Sequence, residues 1–139
     1  MAVLQNSLHV VLRTSSVRCL IVDDSANFRD AASSMLERAG ISVVGVACNS
    51  VDALTQYREL RPDFTLVDVD LGTESGFDLA VQLHDADSPA PSVILISTHS
   101  EQDFADMIAA SPALGFLPKF ALSPAAIREL LADRGLSSL

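Results

Sequence analysis

The sequence predicts an α/β domain: a doubly wound, five-stranded parallel sheet with five helices on its two faces. Three observations predict it. Five short apolar runs alternate with five stretches whose apolar residues recur at helical spacing. Crossovers between such strands are right-handed, which sets the strands parallel and the helices on both faces. Four of the five runs end in polar groups, namely Asp23-Asp24, Asp68, Ser97-Thr98 and Lys119. In an open sheet of this class the carboxyl ends of the strands form the edge where ligands bind.

Val17 to Val22 is the first buried strand. Ser25 caps the next helix, Phe28, Ala32, Met35, Leu36 and Ala39 form its apolar face, and Gly40 stops it. Ile41 to Ala47 is the second strand. Asn49 or Ser50 caps the second helix, with Leu54, Tyr57 and Leu60 facing inward and Pro62 ending it. Phe64 to Val67 is the third strand, aromatic and β-branched, with Asp68 at its end. A loop then reaches Gly76, eight residues after Asp68. Phe77, Ala80, Val81 and His84 mark the third helix, and the segment Asp85 to Pro91 a loop. Val93 to Ile96 is the fourth strand and Glu101 to Ala110 the fourth helix, closed by Pro112. Gly115 to Pro118 is the fifth strand. Ser123 caps and Pro124 opens the fifth helix, which runs to Asp133 with Gly135 beyond.

A chain of 139 residues, 49% of them hydrophobic, holds one domain with a proper core. The domain is expected over 17–133, between a flexible extension, 1–16, and a short tail, 134–139. A net charge of -9 opposes the phosphate binding that nucleic-acid proteins rely on. Direct DNA binding is not expected, as no helix-turn-helix segment follows the fifth helix. Cys19 and Cys48 lie in apolar runs and read as small buried hydrophobes in a reducing cytosol. No run reaches the ~18 apolar residues of a membrane span. Arg13 follows the mildly apolar start, the wrong order for a signal peptide. A cytoplasmic location is expected. His9, His84 and His99 show no zinc-ligand spacing.

The polar strand ends carry the chemistry. Asp23, Asp24 and Asp68 crowded on one edge repel one another unless a cation joins them. Such an oxygen-rich site suits Mg²⁺, which takes one or two carboxylates and keeps several waters. Lys119 adds a mobile positive charge and Ser97 a hydroxyl donor. Cation, ammonium and hydroxyl are the groups that stabilise phosphoryl oxygens, with Asp68 as the nucleophile that becomes an acyl phosphate. Singly, each residue also suits a helix cap, a turn or a solvated charge; the set on one edge does not.

The set resembles the receiver domain of two-component response regulators, over roughly Val17 to Asp133. The resemblance implies a flavodoxin-like receiver fold with strand order 2-1-3-4-5. It implies that Asp68 accepts a phosphoryl group from a histidine kinase or phosphotransfer protein. Asp24 then binds Mg²⁺ directly, Asp23 largely through water, and Asp70 through its backbone carbonyl. Ser97 bonds the phosphoryl group, Lys119 pairs with it, and Phe116 is the switch aromatic. The implied output is a protein-interaction face made by the fourth helix, fifth strand and fifth helix, which binds a downstream target or a second copy.

The chain departs from the family in three places. Gly72 stands where Pro is usual, so a looser loop is expected. Phe120 follows the lysine in place of Pro. Thr98 is larger than the usual residue and is expected to narrow the entry. Asp70 and His99 flank the approach of water to the phosphoryl group in the family, so a charged His99 paired with Asp70 is expected to lengthen the lifetime of the phosphorylated state.

Two rival readings remain. One is a phosphorylation-independent pseudo-receiver that serves as a binding module, which would fail to label with acetyl phosphate. The other is an aspartate-nucleophile phosphatase, since Asp68-Val69-Asp70 resembles the Asp-x-Asp of haloacid-dehalogenase-type enzymes. There the motif ends the first strand, whereas here it ends the third. No turnover enzyme is expected.

Overall fold

The structure, a computed structural model, describes residues 16–86 and 92–133. Five parallel strands form one sheet: β1 (Arg18–Val22), β2 (Ser42–Ala47), β3 (Phe64–Asp68), β4 (Val93–Ser97) and β5 (Gly115–Pro118). Their order is β2-β1-β3-β4-β5. The order reverses at β1, so β1 and β3 lie side by side with their connections leaving on opposite faces. That leaves a crevice between their carboxyl ends.

The helices are α1 (Ala26–Arg38), α2 (Ser50–Leu60), α3 (Gly76–Ala86), α4 (Ala105–Ala110) and α5 (Pro124–Ala132). Three begin at the predicted caps. Ser25 Oγ accepts from Phe28 N at 3.2 Å, Asn49 Oδ1 from Asp52 N at 2.9 Å and Ser123 Oγ from Ala126 N at 3.1 Å. Gly40, at φ +86°, takes the chain out of α1 in the left-handed region that glycine tolerates.

Alternation along the strands splits the core in two. Cys19, Ile21, Phe64, Leu66, Ile94 and Ile96 pack with Ala32 and Leu36 of α1 and Ile127 and Leu131 of α5. Leu20, Val22, Val67, Val93, Leu95 and Phe116 pack with α2 and α3 on the other face. Both faces are apolar, so the strands read as continuous hydrophobic runs.

Several predicted details shift. β1 begins at Arg18, whose N–H donates to Asp63 Oδ2 at 2.8 Å instead of extending the strand through Val17. In α2 the fully buried residues are Ala53 and Tyr57, with Leu54 and Leu60 half-buried. In α3, Phe77 and Ala80 are buried as expected, but Val81 and His84 are exposed, and Leu79 and Leu83 take their places. The apolar run Leu79-Ala80-Val81 allows either stripe, and the sheet selects the one continuous with Phe77. α3 continues through Ala86, so Asp85 is helical; residues 87–91 of the expected loop lie outside the described residues.

The fourth helix is not continuous. Glu101–Phe104 is a 3₁₀ turn and only the six residues of α4 are α-helical. No residue of either piece is fully buried, and only Phe104 and Ile108 pack partly on the core. Two apolar anchors are too few to fix a long amphipathic helix. Both cysteines are free, but only Cys19 is buried. Burial pushes its thiol well above the usual range. Cys48 is exposed because β2 ends at Ala47 and the chain turns outward to start α2.

Candidate functional site

Register brings the polar strand ends together. Val22 pairs with Val67, Asp68 with Ile96 and Ser97 with Pro118, so Asp23, Asp68, Ser97 and Lys119 leave the sheet along one edge. Asp23 is fully buried. Its Oδ1 accepts from Ser25 N at 2.8 Å, and its carbonyl accepts from Arg29 Nη1 at 2.7 Å. Asp68 is 6% exposed, and its Oδ1 accepts from Asp70 N at 3.2 Å. Asp24 is exposed beside them. One carboxylate oxygen from each of Asp23, Asp24 and Asp68 lies within 4.8 Å of the other two.

Lys119 lies against this cluster. Its Nζ is 2.7 Å from Asp23 Oδ2 and 3.4 Å from Asp68 Oδ2, and sits 4.1 Å from the centroid of the Phe28 ring. Burial pulls the ammonium's pKa down, but the bonds and charges of Asp23 and Asp68 overcome it and hold it above the ordinary lysine value. Asp68 goes the other way. Burial and then the charge of Asp23 push its carboxyl up to about 6, against the opposing pull of Lys119 and the Asp70 N–H. One ammonium does not balance three carboxylates. Convergent hard oxygens with excess negative charge fit a hard divalent cation such as Mg²⁺ or Ca²⁺.

The spacing from Asp68 to Gly76 has a steric cause. The Gly76 N–H donates to Val69 O at 2.8 Å, which folds the loop back on the end of β3. A Cβ on Gly76 would collide with the Asp68 carbonyl oxygen, and would stand 2.8 Å from the Asp68 carbonyl carbon and 2.9 Å from Val69 Cα. Only glycine lets the loop return so close behind the carboxylate.

The loop is not loose, contrary to the expectation from Gly72. Asp70–Leu71 and Glu74–Ser75 pair as a two-stranded antiparallel ribbon. Gly72 turns it at φ +77°, a conformation closed to proline. Its N–H donates to Asp70 Oδ1 at 3.1 Å. Glu74 ties the ribbon to α2, accepting from Ser50 N at 2.9 Å and from Ser50 Oγ at 2.6 Å. These bonds, the hydroxyl's first, hold its carboxyl below the usual range. Glu74 was not anticipated, since nothing local marks a cap donated from 24 residues away.

Ser97 is buried and its Oγ accepts from His99 N at 3.0 Å. Thr98, His99 and Asp70 are exposed. His99 and Asp70 are not paired with each other. The His99 ring meets Thr98 Oγ1 at 3.5 Å and stands nearly perpendicular to the Phe104 ring, with the centroids 5.9 Å apart. Phe116 is buried, its ring 6.3 Å from that of Phe104. Phe104 in turn packs against Phe77 at 5.7 Å. The sequence marks Phe28 only as part of a helix face and does not single out Phe104; the signal that sets both apart is an aromatic near the polar sheet edge in the first turns of a predicted helix.

A sequence model of the response regulator receiver domain family matches residues 19–132. The chain is 36% identical over 106 residues to a protein-glutamate methylesterase/protein-glutamine glutaminase of Idiomarina loihiensis, covering 75% of this chain and 27% of that protein. It thus spans about a quarter to a third of the methylesterases it matches first. Against the chemotaxis protein CheY of Thermotoga maritima it is 33% identical over 85 residues, covering 61% of this chain and 70% of that one. Among solved structures, a LuxR-family two-component response regulator from Aurantimonas sp. SI85-9A1 superposes with a TM-score of 0.75 at 25% identity, over 88% of this chain and 86% of that one. A response regulator from Burkholderia pseudomallei, solved with a phosphorylated aspartic acid, a calcium ion and citrate, gives 0.73 at 25% identity, over 88% and 72%. Fold, edge chemistry and kinship agree: the chain belongs to the response regulator receiver domain family.

Proposed function

We propose that this receiver, over residues 17–133, is the phosphoacceptor of a two-component relay, with Asp68 as the acceptor. The observation that carries the proposal is the Asp68 carboxyl, buried at the end of β3 with Lys119 Nζ 3.4 Å from its Oδ2. An oxygen of Asp68 attacks the phosphorus of a phosphohistidine on a histidine kinase or phosphotransfer protein. The N–P bond breaks, its electron pair stays on the imidazole, and an acyl phosphate forms. Asp23, Asp24, Asp68 and the backbone carbonyl of Asp70 would hold Mg²⁺. The metal would supply charge neutralisation for the carboxylates and the incoming phosphoryl oxygens. Lys119 pairs with the phosphoryl group, and the Ser97 hydroxyl leaves its His99 N–H to donate to it. The phosphorylated aspartic acid in the Burkholderia protein supports this reading.

The output is a change in the face of α4, β5 and α5. Ser97 and Phe116 are its switch residues. Met107 and Phe120, 50% and 83% exposed, offer apolar contact there to a target or a second copy. Thr98, His99 and Asp70 tune the lifetime of the phosphorylated state. No described helix is long and apolar enough to cross a membrane, and we place the protein in the cytoplasm. Asp68-Val69-Asp70 ends the third strand, which favours a phosphoacceptor over a turnover phosphatase.

The test is phosphotransfer from a panel of purified histidine kinases, and from acetyl phosphate with Mg²⁺. Acid-stable, base-labile label is expected on the wild type and absent from Asp68→Asn. Label persisting in that variant places the acceptor elsewhere. A wild type that no donor labels supports the pseudo-receiver reading.

A further inference from the structure

Among the described residues three groups lie close to the Lys119 ammonium, and one of them is not a carboxylate. Asp23 Oδ2 and Asp68 Oδ2 lie 2.7 and 3.4 Å from Lys119 Nζ, and the Phe28 ring, with its centroid 4.1 Å away, makes the third contact. That distance is well inside the ~6 Å over which a cation is attracted to a ring's electron-rich face. The ring is well anchored. Phe28 is in the first turn of α1, its N–H donates to Ser25 Oγ, and its side chain is half-buried against the core beneath α1 and α5. The cap that starts α1 therefore also fixes the base of the ring.

We propose that Phe28 is a positioning residue for Lys119, holding the ammonium at the mouth of the acidic cluster by a cation–π contact. Asp23, Asp24 and Asp68 would hold a divalent cation partly through the two carboxylates that hold the ammonium, and such a charge would repel the ammonium itself. The ring is the contact that such a cation does not remove. It keeps Lys119 within reach of Asp68 while the carboxylates turn to the metal. This last step rests on the phosphoacceptor reading; the ring contact itself does not.

The attraction comes from the ring quadrupole, so it fails with an aliphatic side chain and with an electron-poor ring of the same shape. The test uses the full chain, unphosphorylated, as wild type, Phe28→Leu, Phe28→Tyr and a protein carrying pentafluorophenylalanine at position 28. The readouts are the NMR shift of the Lys119 ε-methylene without metal and the Kd for Mg²⁺ by calorimetry. Wild type and Phe28→Tyr are expected to show the upfield shift of a group over a ring face, and Phe28→Leu to lose it. The Leu and pentafluoro proteins are expected to bind Mg²⁺ about two- to fivefold more tightly, because the ammonium swings away from the metal more freely. Phe28→Tyr is expected to match wild type. A pentafluoro protein with wild-type Mg²⁺ affinity overturns the proposal, since packing alone would give that result. So does a Lys119 shift identical in wild type and Phe28→Leu. If no form binds Mg²⁺ but the ring shift is intact, the contact is supported and the metal reading is overturned.

Discussion

Replacing Asp68 by Asn should make the metal-free protein more stable at neutral pH, although it removes the proposed acceptor. The Asp68 carboxyl has its pKa raised from 3.8 to about 6, by burial first and the charge of Asp23 second. A carboxyl raised in the folded state favours folding while it is protonated. That advantage is full below 3.8 and is lost as pH rises through about 6. At pH 7 the charged form therefore costs the fold up to ~3 kcal/mol, at 1.36 kcal/mol per unit. Water at the mouth of the site screens part of this, so Asp68→Asn is expected to gain about 1–2 kcal/mol at pH 7. The assay is urea unfolding of both proteins from pH 4 to 8 without divalent cations. With m-values of about 1–3 kcal/mol/M, the midpoints should differ by roughly 1 M at pH 7 and converge toward pH 4. An Asn protein no more stable than wild type at pH 7, or a gap that does not change with pH, refutes the reasoning.

Thr65 is fully buried on β3, and among the described residues its hydroxyl has no partner. Thr65→Val, which removes that hydroxyl at constant shape, should stabilise the protein by about 1 kcal/mol in urea melts. Gly76→Ala forces a methyl into the Asp68 backbone and should cost about 3 kcal/mol. Its labelling by acetyl phosphate should fall even under conditions where it is folded, and unchanged labelling would detach the loop from the site. His99→Ala is expected to shorten the lifetime of the phosphorylated state, because it removes the side chain that would close with Asp70 over the phosphoryl group. Pairing His99 with Asp70 requires it to leave Thr98 and Phe104, so identical decay rates in the two proteins would end the idea.

The strands and the site ends were legible because both depend on local composition. A strand buried on both faces must be apolar throughout, so a carboxylate at its end stands out, as Asp68 does after Leu66-Val67. Caps at Ser25, Asn49 and Ser123 were legible because their bonds reach only three residues. What escaped depends on partners remote in sequence. The α3 stripe was settled by the sheet beneath it. The Gly72 loop looked loose because its ribbon and the Glu74–Ser50 tie appear only once the chain has folded. The break before α4 reflects missing core contacts, which an apolar pattern of Phe104 and Ile108 does not reveal.

That weakly held segment bears on how the site would be read out. Asp68 cannot retreat from Asp23, because β1 and β3 are paired up to Val22 and Val67 and Asp68 itself pairs with Ile96. The repulsion is relieved by a proton, by a cation, or by motion of something less firmly held. Ser97 ends β4, and its hydroxyl secures the His99 N–H at 3.0 Å. In the proposed switch a phosphoryl group draws that hydroxyl away. The His99 backbone then loses its acceptor, in the segment that leads directly to the 3₁₀ turn. The His99 ring stands nearly perpendicular to that of Phe104, and Phe104 packs against Phe116. The displacement thus has a packed route from Ser97 to Phe116, through a turn with no fully buried residue. A helix secured by a full apolar stripe would resist such a push; one secured by Phe104 and Ile108 yields to a change of a hydrogen bond or two. The poor packing of α4 is therefore what a receiver needs if a single modified carboxylate is to move a surface.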